Sequence, residues 1–435
     1  MNLINLIEYP NVFSVEITPE LLKRTAASGT LPLGQYAVAW QEGDLVYLAR
    51  DPIGCNKLFY AQSGCGNLYV ANQIARILEF DLDITEIHSV PPGYLVGVDD
   101  SAIRILGGSD LTELESNEFI QLTSIREEIA LELESFFSHL AQAYLGYTFV
   151  VCLSGGLDSS IIAFYAAKYL KASAAVFTYA SDEAMSAWVN GEDVTIFPST
   201  SEDFKHGVAV AKALNMSLLP VLRSPSCVMS RIVDVLRLGQ DYRDFNVHCA
   251  SVNLFLAEAI RSRYHGRQVV VLTGDLMNEY LCDYHSEEVD GTIYYPQPRM
   301  PLSRRRRFYV RGLDAGDREI GVFSAFGLTL IQPFARLARH YLQIPPQLLD
   351  KSDAKWIING DLLPEEVSVL VGRVKCRAQV AGQDKGTLGI YHKFGLTQEY
   401  LLKTWAKSIG LGQRVDDLRK LIEFGRYRQL SDMRR

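Results

Sequence analysis

The stretch Ser154-Gly155-Gly156-Leu157-Asp158-Ser159-Ser160 follows an apolar run, Phe149 to Leu153, and leads into a helical pattern. Paired glycines permit positive φ and let a ligand approach the backbone closely. The amides exposed where the next helix starts form an anion cradle, reinforced by the helix dipole. Ser154, Ser159 and Ser160 add hydroxyl donors. Asp158 would repel a bare phosphate, and it becomes useful when Mg²⁺ lies between carboxylate and phosphate. The spacing is neither GxxxxGKS/T nor GxGxxG. The stretch therefore reads as a pyrophosphate and Mg²⁺ site, with an ordinary glycine-rich turn as the competing reading.

Such a loop needs a sheet to present it. Residues 1 to about 110 read as β-rich, with one hairpin in "QYAVAWQEGDLVYLARD" turning at Glu42-Gly43-Asp44 and another in "KLFYAQSGCGNLYVA" turning about Ser63-Gly64. Ser124 to Leu145 carries apolar residues at helical spacing and bridges to a second region. From Tyr147 onward short apolar strands alternate with helices: "FVVCLS", a helix from about Ser159 to Leu170, "ASAAVFTYAS", "SEDFKHGVAVAKALN", "SVNLFLAEAIRSRY" and "QVVVLTGD". This alternation predicts a doubly wound parallel α/β sheet, covered on both faces, with ligands at the carboxyl ends of its strands. After about Phe308 the pattern is mostly helical, with loops at Gly360-Asp361 and Gly382 to Gly386. The division expected is 1–115 and 116–435.

Composition excludes several classes. A hydrophobic fraction of 48%, a charged fraction of 22% and a net charge of −8 fit a globular protein and argue against one that coats nucleic acid. The basic run Arg304 to Arg307 reads as a solvated loop or as a clamp for a phosphate or carboxylate. No apolar stretch approaches the roughly 20 residues of a membrane helix, and "MNLINLIEYPNVF" does not resemble a signal peptide. Seven scattered cysteines, with no CxxC pair, suit a reducing cytoplasm and free thiols.

"SGGLDSS" resembles the signature of the ATP pyrophosphatases, and the wider pattern is similar to the asparagine synthetase and β-lactam synthetase family. "YLARDPIGCNKLFYA" (Tyr47 to Ala61) resembles that family's "ARDxxGxxPLYY", and "VPPGYLV" (Val90 to Val96) its later turn. Active glutamine-hydrolysing members carry a nucleophilic cysteine directly after Met, where this chain has Asn2. The first region is thus expected to be a degenerate glutaminase-like (Ntn-type) α+β domain kept as a scaffold. In the second region the resemblance assigns Leu153 to Ser160 (Leu153, Ser154, Gly155, Gly156, Leu157, Asp158, Ser159, Ser160), Thr178 and Gly274 to ATP, and Asp158 and Asn278 to Mg²⁺. "VVLTGDLMNEYLCDY" departs from the family's pattern: Asn278 replaces the metal-binding aspartate, with Glu279 and Asp283 as nearby substitutes. Asp275 stands where a base could deprotonate the attacking amine, and a metal role is equally open. "KWIINGDLLPEEVSVLVGRVKC" resembles "KxxLRxxxxxxLPxxIxxRxK"; Lys375 matches its last lysine and is assigned to the charge developing on phosphate, with Arg373 as helper. "VAGQDKGTLGIYHKF" (Val380 to Phe394) is similar to a closing lid of β-lactam synthetases. His248 and Arg243 are candidates to touch substrate.

The resemblance implies an ATP-dependent, AMP-forming amide ligase. It would adenylate the carboxylate of a small amino acid-like molecule and close an amide within it, as β-lactam synthetases do. Intermolecular amidation, macrolactam formation as in lasso peptide cyclases, and an inactive ATP-binding paralogue with a regulatory role are the alternatives. No nucleic-acid or membrane partner is expected, and a homodimer is compatible with the motifs.

Overall fold

The computed structural model describes the chain apart from residues 13–15, 81–85, 112–121, 198, 285–286, 290–291, 295–299, 313–315, 351–353, 372–393 and 423–435. Its first part runs β1 (Asn2–Leu6), α1 (Pro19–Ala27), β2 (Ala37–Glu42), β3 (Leu45–Arg50), β4 (Phe59–Gln62), β5 (Asn67–Ala71), α2 (Ile74–Phe80), β6 (His88–Ser89), β7 (Tyr94–Val98) and β8 (Ile103–Gly108). Both expected hairpins form: β2 pairs antiparallel with β3, and β4 with β5. Gly43 sits at φ +58° in the first turn, a conformation that costs glycine little. Two four-stranded sheets result, in the orders β1-β5-β4-β6 and β2-β3-β7-β8. Leu48 and Val96 of one and Tyr60 and Val70 of the other share one apolar cluster.

The second part continues with α3 (Leu122–Ala143), β9 (Thr148–Cys152), α4 (Leu157–Leu170), β10 (Ser173–Tyr179), α5 (Asp182–Val189), α6 (Glu202–Ala213), β11 (Leu218–Arg223), α7 (Cys227–Gly239), α8 (Asp244–Arg263) and β12 (Val269–Leu272). Then come α9 (Met277–Leu281), β13 (Glu287–Val289), β14 (Thr292–Tyr294), α10 (Leu302–Gly312), α11 (Ile320–Ser324), β15 (Thr329–Ile331), α12 (Ala338–Leu342), α13 (Ala354–Asn359), α14 (Glu365–Val371) and α15 (Gln398–Ser408). The sheet is fully parallel, in the order β11-β10-β9-β12-β15. Its inner strands are mostly buried runs of Val, Ile, Leu and Ala, as a sheet covered on both faces requires, and the edge strand β11 is buried only at Val221 and Leu222.

Strand order fixes where a ligand goes. The chain builds from β9 outward to β10 and β11, then returns to add β12 and β15 on the other side. The switch point therefore lies between β9 and β12, and the crevice opens at their carboxyl ends. The loops after those two strands carry "SGGLDSS" and "TGDLMN".

The two parts are bolted together. The Gln35 side chain donates to the Leu330 carbonyl (3.2 Å) and accepts from the Gln332 amide (2.6 Å), straddling β15. Gln240 accepts from the Ile74 amide (2.8 Å) and donates to the Asn72 carbonyl (3.0 Å). One apolar cluster contains Ile53 and Phe59 together with Phe149 and Ile331.

Candidate active site

β9 ends in buried Val150 and Val151, each contributing ~1.5–3 kcal/mol through its burial, and delivers the loop at a fixed height. Leu153 holds the loop to the sheet through its amide, 2.9 Å from the Ala175 carbonyl. Gly155 adopts φ +71°, and a Cβ there would stand 2.5 Å from the Gly207 nitrogen on α6. Gly155→Ala should cost about 1–3 kcal/mol and weaken ATP binding, a pair of effects that calorimetric unfolding and nucleotide titration would read together.

Gly156 is the extended N-cap of α4, so the helix starts at Leu157, two residues before the start the sequence suggests. This places Asp158 in the first turn, at the positive end of the helix dipole. The Ser154 and Ser159 hydroxyls are 3.1 Å apart; Ser159 accepts from the Ser154 amide (3.2 Å) and donates to the Gly156 carbonyl (3.2 Å). They staple the loop into shape. Among the described residues, three buried oxygens around it have no hydrogen-bond partner: Asp158 Oδ1, Ser160 Oγ and Thr273 Oγ1. Buried polar atoms are ordinarily satisfied, so these three oxygens are open to further polar groups.

The loop after β12 closes the other wall. A Cβ on Gly274 would stand 2.7 Å from the Ser159 nitrogen, so only glycine lets this turn lie against the start of α4. Leu276 is held at φ +87°, a strained conformation for a side chain of its size. The turn aims Asn278 at the crevice.

Lys355, on α13, gathers the acids. Its ammonium is 2.5 Å from Asp158 Oδ2 and 3.2 Å from Asp283 Oδ2, and it bonds Asn278 Oδ1. Burial opposes its charge, but Asp158 and Asp283 outweigh that and hold its pKa above the ordinary lysine value. Asp158, Asn278 and Asp283 thus present oxygens around one cation, with a spare Asp158 oxygen beside them. This donor set fits Mg²⁺, which takes one or two protein oxygens and leaves the rest of its shell to phosphate and water.

The remaining expected residues divide. Glu279 turns away from this group: it accepts from the Tyr284 hydroxyl and pairs with Arg318 (3.4 Å). Asp275 lies on the same turn as Gly274 and projects its charge toward Glu319. Thr178 is the penultimate residue of β10, but its hydroxyl is engaged, donating to the Tyr179 carbonyl (2.8 Å) and accepting from the Ser201 amide (2.9 Å) at the cap of α6. Arg243 is clamped on Asp241 (2.6 Å) and His248 is buried. The basic run forms α10, and Arg306 within it is buried, donating to the Leu342 and Ile344 carbonyls. Lys375, Arg373 and nearly all of the expected lid lie outside the described residues.

Two residues that the sequence reading missed stand out. Lys355 opens the very motif whose last lysine is Lys375. Glu319, at the start of α11, is buried, and burial pushes its carboxyl up to about 7 against the pull of Arg318.

Residues 147–315 match the model of the asparagine synthase family. The match spans less than half of the 435 residues, and it contains the Ser154–Ser160 loop, the turn after β12 and the switch point between them. No curated protein matches the chain. Among solved structures, it is similar to an NH3-dependent NAD synthetase from Campylobacter jejuni (12% identity, TM-score 0.25, covering 38% of this chain and 62% of that one). It is also similar to NMN synthetase from Francisella tularensis (15%, 0.26, 72% and 97%) and to NAD+ synthetase from Burkholderia pseudomallei (15%, 0.24, 60% and 90%). The chain thus spans about three fifths of the first of these. Among the described residues, no helix is long and apolar enough to cross a membrane.

Proposed function

We propose that the protein adenylates the carboxylate of a small amino acid-like substrate and passes the acyl group to an amine, releasing pyrophosphate and AMP. The observation that carries this reading is the gathering of Asp158, Asn278, Asp283 and Lys355 at the mouth of the phosphate loop. Asp158 and Asn278 would hold Mg²⁺, which when bound offsets the negative charge of the triphosphate. The Lys355 ammonium supplies a second positive charge where a carboxylate must approach a polyanion.

In the first step a carboxylate oxygen attacks the α-phosphorus, and the bond to the β-phosphate oxygen breaks. In the second the amine nitrogen attacks the acyl carbon, gives up a proton, and AMP departs with the acyl–oxygen electron pair. Glu319 suits the proton transfer, because a base poised near the working pH is the most effective. Asp275, whose charge Glu319 feels, follows Gly274 on the turn after β12. Ring closure, with amine and carboxylate on one molecule, draws its support from the Val380 to Phe394 resemblance; fixed geometry would then supply much of the rate.

ATP–pyrophosphate exchange with supplied acids tests the first step, and loss of one water from a diamino acid tests closure. Bound ATP without exchange for any acid would instead favour a regulatory paralogue. Glu319→Gln separates the steps: amide formation should fall by about 10²–10⁴, with exchange changed only a few-fold. Stability gives an independent reading. A carboxyl raised from 4.5 to about 7 on folding stabilises the protein below pH 4.5, and that contribution is lost as pH rises through 7. Urea midpoints of Glu319→Gln should show a shallower decline, because the buried carboxyls of Asp51 and Asp317 are raised as well and keep their share.

A further inference from the structure

The residue that follows β15 is held stiffly. Proline restricts the residue before it to extended backbone, and Gln332, ahead of Pro333, is extended at φ −107° and ψ 91°. Both of its backbone polar groups are engaged: the amide donates to Gln35 Oε1 (2.6 Å) and the carbonyl accepts from the Ala335 amide (2.9 Å). One residue earlier, the Ile331 carbonyl accepts from the Thr273 amide (3.3 Å), which ties this corner to the loop after β12. Gln332 is 4% exposed and lines a cavity of about 370 Å³ together with Asn246, Leu276, Arg318 and Glu319. Leu276 belongs to the turn after β12, so the cavity lies beside the wall that this turn gives the crevice.

Among the described residues, nothing bonds the Gln332 side-chain amide. Its polar neighbours on the wall are committed to one another: Asn246 accepts from Arg318 (3.1 Å) and donates to Asp241 (2.6 Å), and Arg318 pairs with Glu279 (3.4 Å) and Glu319. Buried amides ordinarily find partners, so one left open on a cavity wall is suited to receive them from a ligand. We propose that Gln332 is a specificity-determining residue that pairs with a carboxamide at the end of the substrate remote from the activated carboxylate. The proposal deepens the ligase reading and rests on it. A glutamine amide offers two donors on Nε2 and an acceptor on Oε1. A carboxamide answers both at once, oxygen to Nε2 and nitrogen to Oε1. A carboxylate only accepts, so Oε1 would repel it, and Glu319 shares the same wall. An ammonium only donates and leaves Nε2 unanswered. An apolar group leaves both ends buried and unmet, the costly case. The stiff backbone fixes the direction in which the amide meets its partner, so little ordering is lost on binding.

The test is isothermal titration of the full chain, with α,β-methylene-ATP and Mg²⁺ present. The probes are L-asparagine and L-glutamine, their acids L-aspartate and L-glutamate, and the apolar analogues L-leucine and L-methionine. In the wild type one of the two amides should bind at least about tenfold more tightly than its acid and its apolar analogue. Gln332→Leu and Gln332→Met should each weaken that amide at least about tenfold and bring the apolar analogue level with it or ahead. Affinity for α,β-methylene-ATP should stay at the wild-type level in both variants, which shows that they fold. The proposal is overturned by an amide bound equally well by the wild type and either folded variant, or by a wild-type preference for the acid or the apolar analogue. Binding of none of the six probes by a wild type that binds α,β-methylene-ATP overturns it too. Failure of α,β-methylene-ATP alone to bind the wild type would instead remove the ligase reading on which the proposal stands.

Discussion

Asp158→Asn should lower ATP–pyrophosphate exchange by about 10²–10³ while leaving the fold intact, since removing one electrostatic element of a phosphate site typically costs that much. The substitution keeps the shape and the contact to Lys355 but removes the charge that makes the residue a Mg²⁺ ligand. It also converts one oxygen to an amide donor pointed at phosphate. Raising Mg²⁺ concentration should recover part of the rate. Exchange at the wild-type level would end the assignment of this loop to the nucleotide.

Lys355→Met should have the second-largest effect, and it should appear in both activity and stability. Removing one member of a buried charged group leaves the others uncompensated, at a cost of about 3–5 kcal/mol. Asp158 and Asp283 are the carboxylates left behind. Exchange should fall by at least about 10²-fold. The unfolding temperature of the free variant should drop, and ATP with Mg²⁺ should raise it by more than in the wild type, because the bound metal restores a cation to the same oxygens. A variant whose unfolding temperature matches the wild type, with exchange intact, would show that the Lys355 contacts serve neither stability nor the reaction.

The Ser154–Ser160 loop stands out in the sequence because the requirements of an anion cradle are local: glycines at special φ, hydroxyls, and one acid within seven residues. The same holds for the two hairpins and for β9, β10 and β12. Lys355 was hidden for the opposite reason. It meets Asp158 across 197 positions, and its motif offers two lysines of which only the structure shows where one goes. Glu319 reads as a plain acid ahead of an apolar helix, since burial cannot be seen at one position. β11 contains Pro220, which argues against a strand until it is known to be the sheet's edge, where a missing amide is harmless. β15 is three residues long, too short for periodicity to register.

Gln35 has a consequence for anyone who would trim the chain. By giving one bond to Leu330 and taking one from Gln332, its amide behaves like a single rung of a sixth strand. Severing the leading half would bare the outer flank of β15 as an open hydrogen-bonding seam, an invitation to self-association.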